Sequence, residues 1–327
     1  LWDELEKILC AKAREGVEVK IIFDDFGNIK RFSGETIDRL REVGVEVFIF
    51  NPVHEYVNRL HFNYRDHRKI ACIDGDVAYT GGVNIADEYA NLIERFGYWK
   101  DSGVCLEGEG AWGLTASFIR MCVNLGGVMH NEHDYYRPHT PVKSEGFCQP
   151  FTDGPQNNPD NPAEDVFLQM ISGARRFLYI TTPYFIPDES LMRALCIAGD
   201  GGVDVRLMLP GKPDHWYADC VAESYFGELI KHGVKVYRYT PGFLHGKSIM
   251  VDREAAFVGS ANMDYRSFEL DYECGVMVYS VPMIESLLED MDMIVEHSRL
   301  VTKEEWAKRS VLRRVFEPLL RLFAIWM

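Results

Sequence analysis

The sequence predicts an α/β fold in which one unit is written twice, and three observations carry that reading. The octet HRKIACID (67–74) returns as HGKSIMVD (245–252), with histidine, lysine and aspartate at the same spacing, 178 residues further on. Each octet is followed, after six residues, by a small pair and an asparagine: Gly81-Gly82-Val83-Asn84 and Gly259-Ser260-Ala261-Asn262. Other landmarks recur in the same order at offsets of 172 to 189: GVEVKIIF (16–23) with GVDVRLML (202–209), GVEVFIF (44–50) with GVKVYRY (233–239), and SGVCL (102–106) with CGVMV (274–278). Ordered self-similarity of this kind marks a duplication, and slowly drifting offsets mark loop insertions.

Within each copy helices and strands alternate. Leu1 to Arg14 has helical spacing and stops before Gly16, where a β-branched run begins; Ile37 to Val43 reads as a helix ending at Gly44, ahead of the next strand. In the second copy Asp165 to Gly173 and Glu189 to Ala198 read as helices around the strand Phe177 to Thr182. Strands that alternate with helices pack as an α/β sandwich with a largely parallel sheet. The strand RFLYITTPYFIP (176–187) has no counterpart, because Leu1 aligns near Pro187; the first copy reads as begun part-way through, and the parent protein is expected to extend toward its N-terminus. The organisation is a first lobe (1–125), an inter-lobe loop rich in Pro, Asn, Asp and His (126–163), a second lobe (164–300) and an amphipathic C-terminal segment (301–327).

Composition narrows the function. The 327 residues carry a formal charge of −15, which repels a polyanion and argues against a broad nucleic-acid surface. The eight cysteines form no CxxC pair and read as reduced thiols. No uncharged run reaches the ~20 residues of a membrane span, and no signal peptide is visible. His130, His133 and His139 in the inter-lobe loop are spaced too loosely for a metal site.

The octets hold the chemistry. On a strand, residues two apart face the same side, so His67 projects with Lys69 and His245 with Lys247, while Ile70, Cys72, Ile249 and Val251 anchor the strands. Asp74 and Asp252 close the octets, where they would tie down the following turn. The glycines allow close backbone approach, and the amides of Asn84 and Asn262 offer donors for phosphoryl oxygens. Two such half-sites suit a phosphodiester: one imidazole attacks phosphorus, and the other protonates the leaving alkoxide and later deprotonates the incoming alcohol. Lysines and asparagines stabilise the charge that develops, with no metal or other cofactor. Each imidazole needs an orienting acceptor. Aligning SGVCL with CGVMV makes Asp101 and Glu273 equivalent, and the expectation is Asp101 behind His67 and Glu273 behind His245.

At these residues the sequence resembles the phospholipase D superfamily, whose signature is the paired HxKx4Dx6G[GS]xN motif. That resemblance implies a pseudo-twofold pair of α/β/α sandwich lobes sharing one active site. Longer stretches, NYRDHRKIACIDGDVAYTGGVNIADEY (63–89), FGYWKDSGV (96–104), YITTPYFIPDES (179–190), LPGKPDHW (209–216), GFLHGKSIMVD (242–252) and GSANMDYRSFELDYE (259–273), are similar to bacterial cardiolipin synthases. This narrower likeness implies phosphatidyl transfer: one phosphatidylglycerol forms a phosphatidyl-histidine and releases glycerol, and a second attacks to give cardiolipin. It also implies His67 as nucleophile and His245 as acid/base, and a bacterial inner (cytoplasmic) membrane with the catalytic domain on the cytosolic side. The N-terminal membrane helices typical of that family are expected in the part of the parent protein that precedes Leu1. Asp66, where the family often has asparagine, is expected to raise the His67 pKa through its charge.

Further candidates lie around these motifs. Arg266 could pair with an acceptor phosphate; Lys212 and His215 are pocket candidates on resemblance alone; Tyr184 and Phe185 are expected in the core. The C-terminal stretch 304–327 sets Arg309, Arg313 and Arg314 among bulky apolar residues, the pattern of a helix lying on an anionic membrane surface. Rival readings are a hydrolytic phospholipase D, a nucleic-acid phosphodiesterase and a catalytically inactive lipid-binding scaffold; the oligomeric state, homo-oligomer included, is left open.

Overall fold

The computed structural model describes residues 1–28, 33–53, 63–130, 134–144, 146–155, 161–279, 282–309 and 320–321. The second lobe is built on a mixed sheet in the order Ser298–Leu300, Lys235–Tyr239, Asp204–Pro210, Phe177–Thr181, Ser248–Val251, Ala255–Gly259, Asp271–Tyr279. Its first half is largely parallel and its second half antiparallel; Phe177–Thr181 joins them, parallel to Asp204–Pro210 and antiparallel to Ser248–Val251. In the first lobe the equivalent halves stand as separate sheets: Lys20–Asp24 parallel to Glu46–Phe50, and the antiparallel set Ile70–Ile73, Val77–Gly81, Gly103–Glu107.

Local chemistry sets the helix ends. Trp2–Arg14 has Asp3 and Glu4 in its first turn and Lys12 and Arg14 in its last, each complementing the helix dipole. Ser33 accepts a hydrogen bond from the Thr36 N–H, so this helix spans Gly34–Glu42 and starts earlier than its apolar spacing indicates. Pro162 likewise opens Pro162–Gly173 ahead of Asp165, its fixed φ suiting the first helical position. Asp188 caps Glu189–Asp200.

The segment read as a loop between the lobes contains a strand. Phe147–Asp153 pairs antiparallel with Asp271–Tyr279 along seven residues, because that edge offers unpaired backbone groups that a loop cannot satisfy. In the same segment His130 stacks on Tyr135 and lies 3.7 Å from Glu18, the His139 N–H binds Asp76, and His133 is outside the described residues.

The lobes share a core. Ala78, Val104, Leu106 and Leu114 of the first lobe pack in one cluster with Met208, Met250, Val276 and Val278 of the second. Two short parallel pairings also cross between lobes: Arg65–Asp66 with Asp271–Tyr272, and Tyr98–Lys100 with Gly242–Leu244. They are pseudo-symmetric equivalents, each joining the lead-in to an octet with the strand start of the opposite lobe.

Among the described residues no helix is long and apolar enough to cross a membrane. Of the C-terminal stretch, Trp306 packs on Phe226 and Arg321 binds Ser224, both on the second-lobe helix Trp216–Lys231. Arg313 and Arg314 lie outside the described residues.

Candidate active site

The crossing strand pairs deliver the site. Tyr272 stands opposite Asp66, and its carbonyl accepts from the His67 N–H at 3.0 Å, which brings the next residue, Glu273, beside the His67 ring. Lys100 stands opposite Leu244, and its carbonyl accepts from the His245 N–H at 2.6 Å, which brings Asp101 beside the His245 ring. His67 Nδ1 is 2.8 Å from Glu273 Oε1, and His245 Nδ1 is 2.7 Å from Asp101 Oδ2. The expected pairing within each lobe is therefore reversed. The two carboxylates are equivalent, as the alignment indicates, but parallel pairing between lobes presents each to the other lobe's histidine.

The rest of each half-site follows the octet. Lys69 and Lys247 turn their ammonium groups back to the carbonyls of His67 and His245. Lys247 Nζ also lies 2.9 and 3.0 Å from the two ring nitrogens of His245. The halves interlock closely: a methyl group on Gly82 would sit 2.2 Å from Asp101 Oδ1 and 3.1 Å from the His245 carbonyl oxygen, so a side chain there would displace Asp101. Its counterpart, Ser260, uses its hydroxyl to hold Glu273 Oε2 at 2.5 Å.

Asp74 and Asp252 sit at the far ends of their octets and do not meet the site. Asp252 accepts from the backbone N–H groups of Arg175, Arg176 and Phe177, each at 2.8 Å, and so anchors the start of the bridging strand; Asp74 is exposed at the same positive φ of 54°. Both aspartates, counted with the catalytic set on the strength of the motif, thus lie away from the imidazoles, and the hydrogen bonds that the Asp252 carboxylate accepts come from backbone N–H groups. Asn262 is buried, with Oδ1 unpartnered among the described residues, while Asn84 donates to the Tyr89 hydroxyl at 2.7 Å.

Burial dominates the protonation states. It pushes His67 down, aided by Lys69 and opposed by Glu273. It pushes His245 down to about 3, with Lys247 adding to the effect and Asp101 opposing it. Lys247 falls to about 7 for the same first reason, and Lys69 is also lowered. Burial is the largest single influence on Asp101 and Glu273 and presses both upward, but the imidazole, the lysine and the hydrogen-bond donors around each together bring them below the usual range. Each lysine depresses both imidazoles, so the four groups share one electrostatic field. Asp66 does not raise His67 as expected, because its carboxylate is taken up by Arg68 at 2.9 Å.

The two histidines differ in their surroundings. His67 is 27% exposed and lines a cleft of about 2270 Å³ together with Lys69, Asn84, Asn262, Arg266 and His215. The His245 side chain is 6% exposed and ringed by Tyr89, Trp99 and Phe243 at centroid distances of 5.0, 5.5 and 5.8 Å. The sequence reading missed this aromatic cage, although Phe243 lies two residues before His245 and Tyr89 five after Asn84. Tyr184 lines the cleft and donates to Asp214 at 2.6 Å, contrary to the core placement expected of it, whereas Phe185 is fully buried. His215 stacks between Tyr184 and Tyr217; Lys212 is exposed near Gly97 and is not part of the cleft wall.

His67, Asp271 and Glu273 are the group with metal-ligand spacing among the described residues, their donor atoms lying within 4.8 Å of one another. Glu273 is already committed to His67 and Ser260, and Lys69 supplies positive charge beside it, so the set suits an anion better than a cation.

A duplicated α/β fold with two histidine–lysine half-sites at its lobe junction defines a phospholipase D-type protein. A solved structure agrees in fold: phosphatidylserine synthase of Haemophilus influenzae superposes with a TM-score of 0.64 over 98% of this chain and 90% of its own, at 14% identity. The family described as cardiolipin synthase, PLD-like domain, matches residues 3–94 and 167–295, one block in each lobe. The major cardiolipin synthase of Bacillus subtilis is 38% identical over 99% of this chain and 67% of its own, and the cardiolipin synthase of Clostridium perfringens 38% over 98% and 68%. The chain belongs to the cardiolipin synthase family of the phospholipase D superfamily. It spans about two thirds of the length of such relatives, from 63% to 68%.

Proposed function

We propose that the chain is the catalytic unit of a phosphatidyltransferase that makes cardiolipin from two phosphatidylglycerol molecules and releases glycerol. The observation that carries this reading is the pair of crossed imidazole–carboxylate contacts, His67 with Glu273 and His245 with Asp101, each flanked by a lysine. With the His67 Nδ1 engaged by Glu273, its Nε2 is the ring atom left to attack phosphorus. By analogy with the superfamily, the His67 Nε2 lone pair forms the P–N bond while the P–O bond to glycerol breaks, and His245 gives its proton to the departing oxygen. The hydroxyl of a second phosphatidylglycerol then forms a new P–O bond. Its proton passes to His245, and the P–N bond breaks with the electron pair returning to His67.

Protonation suits this order. Before substrate enters, burial and the lysines keep both rings neutral, which leaves His67 nucleophilic. A phosphodiester brings negative charge into the same field and favours proton uptake by His245. The substrates place the site at a membrane surface, as proposed for a bacterial inner membrane with the cleft on its cytosolic side. Mass spectrometry of products from phosphatidylglycerol vesicles tests the reading. Cardiolipin with glycerol supports it; phosphatidic acid alone would make the chain a hydrolase; no turnover of any phosphodiester would make it a scaffold.

A further inference from the structure

One carboxyl on the His67 side of the cleft has no part in the chemistry above. Asp271 is 6% exposed, its Oδ1 has no hydrogen-bond partner among the described residues, and its Oδ2 lies 3.4 Å from Arg266 Nε. It lines the cleft with His67, Asn262 and Arg266. Asp271 precedes Glu273 by two residues on one strand, so both side chains leave the same face, and its carboxyl reaches within 4.8 Å of the His67 and Glu273 donor atoms. The equivalent position in the first lobe, two residues ahead of Asp101, is Trp99, whose ring packs on His245. The duplication is broken here. One wall of the site is polar and the other aromatic.

An orphaned buried oxygen carries a desolvation cost that a hydroxyl donated by a ligand would remove. Burial pushes this carboxyl well above the usual range despite Arg266, with Glu273 and Asp264 acting in the same direction as burial. A neutral carboxyl both donates and accepts hydrogen bonds, and it adds no negative charge beside a phosphodiester. Those are the properties of a hydroxyl-recognising group inside an anion site.

Building on the transferase reading, we infer that Asp271 and Arg266 form the subsite for the polyol that leaves from and enters at phosphorus. Asp271 hydrogen-bonds the hydroxyl next to the reacting one, and Arg266 takes the phosphate that an acceptor lipid carries and free glycerol lacks. Leaving and entering alcohols occupy the same position by microscopic reversibility, so a single subsite serves both steps.

The test supplies phosphatidylglycerol vesicles together with isotope-labelled glycerol. One covalent intermediate then divides among glycerol (labelled phosphatidylglycerol), lipid (cardiolipin) and water (phosphatidic acid). Asp271→Ala is expected to lower both alcohol-derived products about tenfold relative to phosphatidic acid. Arg266→Gln is expected to lower cardiolipin alone. Asp271→Asn, which keeps shape, donor and acceptor, is expected to hold the parent ratios. Product ratios unchanged in Asp271→Ala, or all three products reduced by one factor, would overturn the subsite and leave the transferase reading standing. Failure of the unaltered protein to release glycerol would overturn both.

Discussion

Glu273 orients a histidine 206 residues away, in the other lobe: its Oε1 meets His67 Nδ1 at 2.8 Å, and Asp101 does the same for His245 at 2.7 Å. Neither half-site is complete within its own lobe. In the proposed mechanism the catalytic unit is the junction, which ties function to the parallel pairings that close it.

That crossing fixes how variants should group. Glu273→Gln is expected to behave like a His67 variant and Asp101→Asn like a His245 variant, each slowing turnover roughly 10²–10⁴-fold by mis-setting the tautomer of the ring it holds. The assay is headgroup release across substrates of differing leaving-group pKa. A steeper dependence on leaving group in Asp101→Asn but not in Glu273→Gln fits the crossed assignment; the opposite pattern would contradict it.

The division of labour between the rings has its own check. His67→Ala should abolish turnover of every phosphatidyl ester. His245→Ala should keep activity on a p-nitrophenyl ester, whose leaving group needs no proton, and should accumulate a phosphatidyl adduct on His67 detectable by peptide mass spectrometry. An adduct on His245 in the parent protein would exchange the two roles.

Asp252 is expected to matter for stability and not for chemistry. Losing its carboxylate strands the N–H groups of residues 175–177 and should cost about 2–4 kcal/mol in denaturant unfolding, with kcat/KM of the folded fraction changed only a few-fold. Burial presses this carboxyl up, but those N–H groups hold it below its ordinary value. Its contribution is therefore present above the unfolded pKa near 3.9 and is lost as pH falls through the lower folded value. Parent-like stability in Asp252→Ala would remove it as the anchor of the bridging strand.

Anion affinity should fall as pH rises. Lys247, held at about 7 chiefly by burial, is largely neutral above that pH in the empty site, and a bound anion must re-protonate it. Inorganic phosphate is expected to raise the melting temperature more at pH 6 than at pH 8.5, with affinity dropping by up to about tenfold per pH unit above 7. Lys247→Met should flatten that dependence. An unchanged slope would mean that another group titrates.

The sequence by itself determined the duplication, the α/β class and the reactive set, because each rests on local order: residue type, a two-residue repeat along a strand, and glycine where backbone must come close. It also marked Asp101 and Glu273 as equivalents. It assigned each to the histidine of its own lobe, and the structure reverses that, since strand pairing between lobes depends on edges distant in sequence. The strand Phe147–Asp153, the cage around His245 and the Asp271 Oδ1 that lacks a partner among the described residues depend on the same packing. Alignment of two repeats says what is alike in them; only the tertiary structure, by placing one lobe's strand ends against the other's, decided where they differ and which groups meet.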